Sequence, residues 1–142
     1  LDHFKTLNDT QGHQRGDQFL CDVASILKTA CRRPSDLVAR YGGDEFVLIL
    51  SGSARVAATD MLTKCLSDIA ALDLAYCSNP AVTASVGISS TEDLKALSED
   101  DLLQAADLAL YRAKNRGRNL CVCCVGWDHA KQAFFQPDAL PA

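Results

Sequence analysis

Apolar residues recur every three or four positions through DQFLCDVASILKTACR, at Phe19, Leu20, Val23, Ile26, Leu27 and Ala30, which is the period of a helix burying one face. The spacing predicts that this helix starts at Asp17, straight after Gly16, and that DHFKTLNDTQGHQRG ahead of it is a glycine-containing loop. The pattern then shortens to two runs of strand formers, LVARY and FVLIL, with only GGDE between them. That is a hairpin whose glycines take backbone angles closed to other residues. Helical spacing returns in ARVAATDMLTKCLSDIAAL, and AVTASVGIS reads as a strand. Ser98 then opens SEDDLLQAADLALYRAKNRG, whose early acids, late bases and closing Gly117 suit the helix dipole and a C-terminal cap. NLCVCCV reads as a last strand. The order helix, hairpin, helix, strand, helix, strand predicts an α+β domain with one sheet and helices packed on it.

Composition narrows what such a domain does. With 142 residues, 48% of them hydrophobic, the chain makes one domain with a real core. A formal charge of -4 argues against a broad basic face for nucleic acid, so a phosphate ligand must be met locally. The seven cysteines are an odd number and lie mostly in apolar runs (Cys21, Cys31, Cys65, Cys77), which speaks for a reducing cytoplasm over a zinc site or disulfide framework. No apolar run reaches the roughly 18 residues that span a bilayer, and no signal-peptide pattern opens the chain. Direct membrane contact is therefore not expected. The first residue is Leu1, and LDHF reads as the end of a segment already under way, so a fragment of a longer protein is expected.

The hairpin tip carries the first candidate chemistry. Asp44 and Glu45 are adjacent carboxylates that repel each other unless a cation or water screens them. Magnesium takes a few carboxylates and fills its other positions with water and phosphate oxygens, so such a turn can present a metal to a nucleoside triphosphate. A solvated acidic turn is the plainer alternative. In DHFKTLNDTQGHQRGDQFL, Lys5, Asn8 and Asp17 surround the loop that leads into a helix, where backbone amides and a positive dipole receive an anion or a base edge. An amide and a carboxylate together satisfy guanine's O6 acceptor and its N1 and N2 donors. An Asx-turn at Asn8 and an N-cap at Asp17 are the alternatives. Lys114 and Arg118, four apart at a helix end, suit phosphate capture or simple dipole complementation.

DHFKTLNDTQGHQRGD, RYGGDEF, TASVG and ADLALYRAKNRGRN, in this order and spacing, closely resemble the GGDEF family of diguanylate cyclases from Leu1 to about Leu120. The resemblance implies a palm-like (ferredoxin-like) nucleotidyl-cyclase fold, a central and mostly antiparallel sheet with helices packed on it. It implies condensation of two GTP molecules into cyclic dimeric GMP with release of pyrophosphate. Each subunit would hold one GTP, so a second GGDEF subunit would be the partner in catalysis. Position by position, it assigns the guanine edge to Asn8 and Asp17, and magnesium (or manganese) and deprotonation of the ribose 3′-hydroxyl to Asp44 and Glu45. Gly42 and Gly43 would let the backbone close on the triphosphate, and Lys114, Arg118 and Lys5 would meet phosphates. Arg33 and Asp36 form an RxxD separated by five residues from Gly42, the register of the family's inhibitory site for the product. A surface pair at a helix end is the alternative.

The family's D-x-D run departs here: Leu1 is its middle position and Asp2 its second Asp, so the metal set implied is Asp44, Glu45 and Leu1, without the leading Asp. A first strand cut to its tail would leave backbone groups of the sheet to pair elsewhere. The chain alone is expected to show little cyclase activity. Residues 1–124 are read as the cyclase domain and 125–142 as a tail of unassigned role containing Trp127, Phe134 and Phe135. Cys121, Cys123 and Cys124 are read as strand filler. A catalytically inactive receptor for GTP or cyclic dimeric GMP is the alternative function, and a purely structural relay the third.

Overall fold

A computed structural model describes residues 1–93, 98–128 and 133–134. The chain divides into two compact units, Leu1–Ala84 and Ser85–Ala142.

In the first unit, two helices meet at one glycine. Helix α1 spans Phe4–Gln11 and α2 spans His13–Ala30, with Gly12 between them at φ 85° and ψ 158°. The expected loop over residues 2–16 is thus mostly helix, and α2 begins at His13 instead of Asp17. The physical reason lies in which glycine breaks the helix. The Gly12 N–H closes α1 on the Asn8 carbonyl at 2.9 Å, and the Gly12 carbonyl accepts the Gly16 N–H at 3.2 Å to start α2. Gly16 is an ordinary helical residue, buried under α1.

Phe4 and Leu7 from α1, and Phe19, Leu20, Val23 and Leu27 from α2, turn inward. Helix α3 (Arg55–Leu72) adds Ala58, Leu62, Cys65, Leu66 and Ile69 to the buried set, and Tyr76 follows a short 3-10 turn at Asp73–Ala75. Phe19 is fully buried and meets the Tyr76 ring edge-on at 4.9 Å, with the Phe4 ring 6.4 Å away. The predicted hairpin is present as β1 (Leu37–Gly42) and β2 (Glu45–Ile49), antiparallel, with Leu37 opposite Ile49 and Ala39 opposite Val47.

The second unit is a strand, helix, strand run. β3 (Val86–Ile88) pairs in parallel with β4 (Cys121–Cys123), and α4 (Glu99–Asn115) connects them. Ser98 caps α4 as expected, in a reciprocal box: its Oγ accepts the Asp101 N–H at 3.2 Å, and the Asp101 carboxylate accepts the Ser98 N–H at 3.0 Å. The buried face of α4 is Ala105, Ala109 and Ala113, against Val122 and Cys124. These small side chains let the helix lie close on β3. Gly87 takes this furthest, since a Cβ there would run into the Ala106 carbonyl and the Leu110 backbone.

Strand pairing departs from the sequence reading in three places. Of AVTASVGIS only Val86–Ile88 joins a ladder, while Thr83 makes one isolated antiparallel bridge with Asp2. NLCVCCV is not the last strand, because β5 (Trp127–Asp128) pairs with β6 (Ala133–Phe134). Among the described residues the strands form three two-stranded ladders. Within the first unit, Asp2 reaches Thr83 through that single bridge. Of the expected tail, residues 129–132 and 135–142, Phe135 among them, lie outside the described residues. No described helix is long and apolar enough to cross a membrane.

Candidate functional site

The α1–α2 elbow holds the first set of expected residues. Asn8 leans on Gly16, so closely that a Cβ at position 16 would collide with its Oδ1 and stand 3.2 Å from the Phe4 ring. That Oδ1 is buried and has no hydrogen-bond partner among the described residues. An Asx-turn is therefore not its task. Asp17 follows Gly16 on α2 and is exposed, and Lys5 is exposed in the first turn of α1. Asp17 is the fifth residue of α2, whose N-cap is Gly12, which removes the capping alternative. An amide held against a glycine, one residue from a free carboxylate, offers donors and acceptors for a planar polar edge.

The hairpin turn holds the second set. β1 runs through Gly42 and β2 starts at Glu45, so the corner is Gly43 and Asp44 alone. Gly43 has φ 27° and nothing within 4 Å of where a Cβ would stand, and Gly42 is equally open, leaving bare backbone facing outward. The Arg40 Nε donates to the Gly43 carbonyl at 2.8 Å. Asp44 is half-buried and Glu45 exposed. The Leu1 nitrogen donates to the Asp44 carbonyl at 2.8 Å and lies 3.5 Å from its Oδ2, so Leu1 and Asp44 are neighbours. Asp44 and Glu45 supply hard oxygens only. Such a donor type suits a hard ion that keeps several waters, such as magnesium.

Arg33 and Asp36 are brought together in a turn after α2. The Arg33 N–H donates to Asp36 Oδ2 at 3.1 Å, and the Asp36 N–H donates to the Arg33 carbonyl at 3.0 Å. The Arg33 guanidinium reaches the Ser53 hydroxyl at 2.8 Å and the Ser51 carbonyl at 3.0 Å, while Asp36 Oδ1 is buried without a partner. The pair thus bridges two loops instead of decorating a helix end. Lys114 and Arg118 belong to the second unit, whereas every other expected residue belongs to the first. Lys114 is half-buried in the last turn of α4; Arg118 is exposed, beyond that helix, at φ 67° with its N–H on the Ala113 carbonyl at 3.1 Å.

Sequence reasoning missed Gln11, Arg15, Asp22 and Tyr76, whose side chains or carbonyls meet around the elbow. No local signal marks them, because Tyr76 is far along the chain from the other three. The thiols of Cys31, Cys65 and Cys124 are pushed up by burial, which keeps them protonated and inert.

Helices packed on short strands, a glycine elbow presenting an amide and a carboxylate, and a glycine turn presenting two carboxylates make up an α+β domain, and the solved structures that it matches show its palm-like fold. The family is then settled by comparison: the model described as "Diguanylate cyclase, GGDEF domain" matches residues 1–120, and the chain belongs to the GGDEF family. It is 39% identical over 118 residues to diguanylate cyclase DgcM of Escherichia coli, covering 83% of this chain and 28% of DgcM. It is 39% identical over 121 residues to diguanylate cyclase A of Treponema denticola, covering 84% of this chain and 32% of that protein. The chain thus spans under a third of the length of these curated relatives. Among solved structures it resembles the GGDEF domain of DgcB from Caulobacter crescentus in complex with c-di-GMP, with a TM-score of 0.74, 32% identity, and coverage of 86% of this chain and 72% of that one.

Proposed function

We propose that this domain is a diguanylate cyclase, joining two GTP molecules into cyclic dimeric GMP and releasing pyrophosphate. The observation that carries this reading is the Asn8 amide, buried at Oδ1, unpartnered, and held on Gly16 beside the free Asp17. It is a polar group kept out of water with nothing among the described residues to satisfy it, which a bound guanine edge would do. Family membership and the match to DgcB support the chemistry that follows.

Asn8 and Asp17 orient the base, and the bare backbone at Gly42 and Gly43 admits the triphosphate. Asp44 and Glu45, with Leu1 beside Asp44, would hold magnesium or manganese, which when bound neutralises phosphate charge and acidifies the attacking 3′-hydroxyl. Lys5 supplies further charge for the phosphates as pyrophosphate leaves, and family membership supports a phosphate-binding role for Lys114 and Arg118 of the second unit. Each domain holds one GTP, so two domains face each other to close the product ring. Arg33 and Asp36 take the product as an inhibitor, and the buried, unpartnered Asp36 Oδ1 supports that role. The same observation favours a second reading, a receptor that binds nucleotide without making it. The seven free thiols suit a reducing cytoplasm, where GTP is abundant.

The test is GTP turnover with Mg²⁺, scored by chromatography, for the natural protein that carries this domain, beside calorimetric titration of the chain with GTP. Turnover by that protein and nucleotide binding by the chain are the expected results. Nucleotide binding without turnover moves the function to the receptor, and no binding overturns the reading.

A further inference from the structure

We propose that Tyr76, gripped by Gln11, Arg15 and Asp22, sets the angle of the α1–α2 elbow and thereby positions Asn8 and Asp17 for base selection. The inference rests on the reading above, that these two residues take guanine.

An elbow made of one glycine has no stiffness of its own. Gly12 is exposed, with nothing within 4 Å of where a Cβ would stand, so the bend is set by how α1 packs on α2, Phe4 near Phe19 and Asn8 on Gly16, and by whatever braces the two arms from outside. The bend nevertheless decides the site, because Asn8 rides on α1 while Gly16 and Asp17 ride on α2. Opening it lifts the Asn8 amide off Gly16 and changes its distance to the Asp17 carboxylate. A brace from outside the elbow that grips both arms narrows the angles this packing leaves open.

The corner at residues 73–76 does so. On the α1 arm, Gln11 Nε2 donates to the Tyr76 carbonyl at 2.7 Å. On the α2 arm, Arg15 donates through Nη2 to the Ala75 carbonyl at 3.2 Å and lays its guanidinium 4.5 Å over the Tyr76 ring. Further along α2, Asp22 Oδ2 accepts the Tyr76 hydroxyl at 2.6 Å, and the ring itself packs on Phe19. One residue therefore holds α1 by its carbonyl and α2 by its ring and hydroxyl. Gln11 and Arg15 are the last residue before the elbow's glycine and the third after it, so both grips act close to the pivot.

Tyr76 is a positioning residue on this account, and its signature is selectivity. Inosine triphosphate keeps guanine's O6 and N1–H and lacks the 2-amino group, so the ratio of GTP to inosine triphosphate affinity reads how well the amide and carboxylate are aligned. Calorimetric titration of the chain with each nucleotide, for the natural sequence, Tyr76→Leu, Tyr76→Phe and the surface double variant Gln11→Ala/Arg15→Leu, tests the point. Tyr76→Leu and the double variant are expected to weaken GTP about ten-fold, the scale of one or two lost hydrogen bonds, and to bring the ratio close to one. Tyr76→Phe keeps the ring and the guanidinium stack and is expected to retain most of the ratio. An unchanged ratio in the folded double variant overturns the inference, including where Tyr76→Leu fails to fold. If the natural sequence itself does not prefer GTP, the guanine reading fails first, and the two failures are distinguishable.

Discussion

Two glycine corners in the first unit look alike in sequence and are built in opposite ways. At the elbow, Gly12 turns the chain with φ 85°, and side chains from α1 and α2 converge on the residues after α3 to brace it. At the hairpin, Gly43 turns the chain with φ 27°, held by the ladder between β1 and β2, one bond from Arg40 and the contact with Leu1. The elbow buries its key polar atom before any ligand arrives, whereas the turn leaves Glu45 exposed and both glycines bare. Preorganisation is therefore unequal. On the function proposed above, base recognition would be set by the fold and the phosphate end left for metal, water and substrate to complete, as expected where charge neutralisation is the main catalytic demand.

The comparison breaks first at the turn. Asp44→Asn with Glu45→Gln in the natural protein removes the two carboxylate charges and keeps the side-chain volumes. Turnover is expected to fall by roughly 100-fold or more, since losing a preorganised electrostatic contact to a transition state has that scale, while the thermal midpoint stays put. Persisting turnover would show that the turn does not carry the chemistry. The next effect is at the elbow. Gly16→Ala places a methyl where Asn8 Oδ1 lies, so the amide must leave its seat. GTP affinity is expected to drop about ten-fold, with the hydrogen bonds of a displaced amide lost, and titration of the folded variant measures it. Unaltered affinity would mean that the Asn8 seat on Gly16 is unrelated to nucleotide.

Legibility follows the same division. The hairpin and the capping of α4 at Ser98 were readable because turn chemistry and capping are local, and the four motifs pointed to the family without any structure. The elbow was misread, with the helix break placed at Gly16. Both glycines are flanked by polar residues, and what distinguishes them is tertiary: Gly16 is needed for the close approach of Asn8, and Gly12 for its backbone angle. The brace was invisible for a stronger reason. Gln11, Arg15 and Asp22 gain meaning only when Tyr76 returns to them from the far side of α3. The extent of strand pairing was likewise illegible, because AVTASVGIS has strand composition along its whole length while only Val86–Ile88 finds a ladder.

The smallest expected effect sharpens the comparison from the elbow side. The Tyr76 phenol is pushed up from 10.0 to about 12, first by burial, then by the hydrogen bond and negative charge of Asp22, with Arg15 opposing. A raised acid means that the folded chain keeps a proton that the unfolded chain has lost, so this stabilisation is whole below pH 10.0 and is lost as pH rises to about 12. Tyr76→Phe has no proton to lose. It should therefore sit below the natural sequence in stability at neutral pH, by about 1.5 kcal/mol for one part-exposed hydrogen bond to a charged acceptor, and lose less between pH 10 and 12. Urea midpoints measured across that window for both proteins give the difference directly, since all other titrations are shared. Curves that stay parallel would mean that the hydroxyl does not hold Asp22 in solution, leaving the grip on α2 to Arg15 and the ring alone.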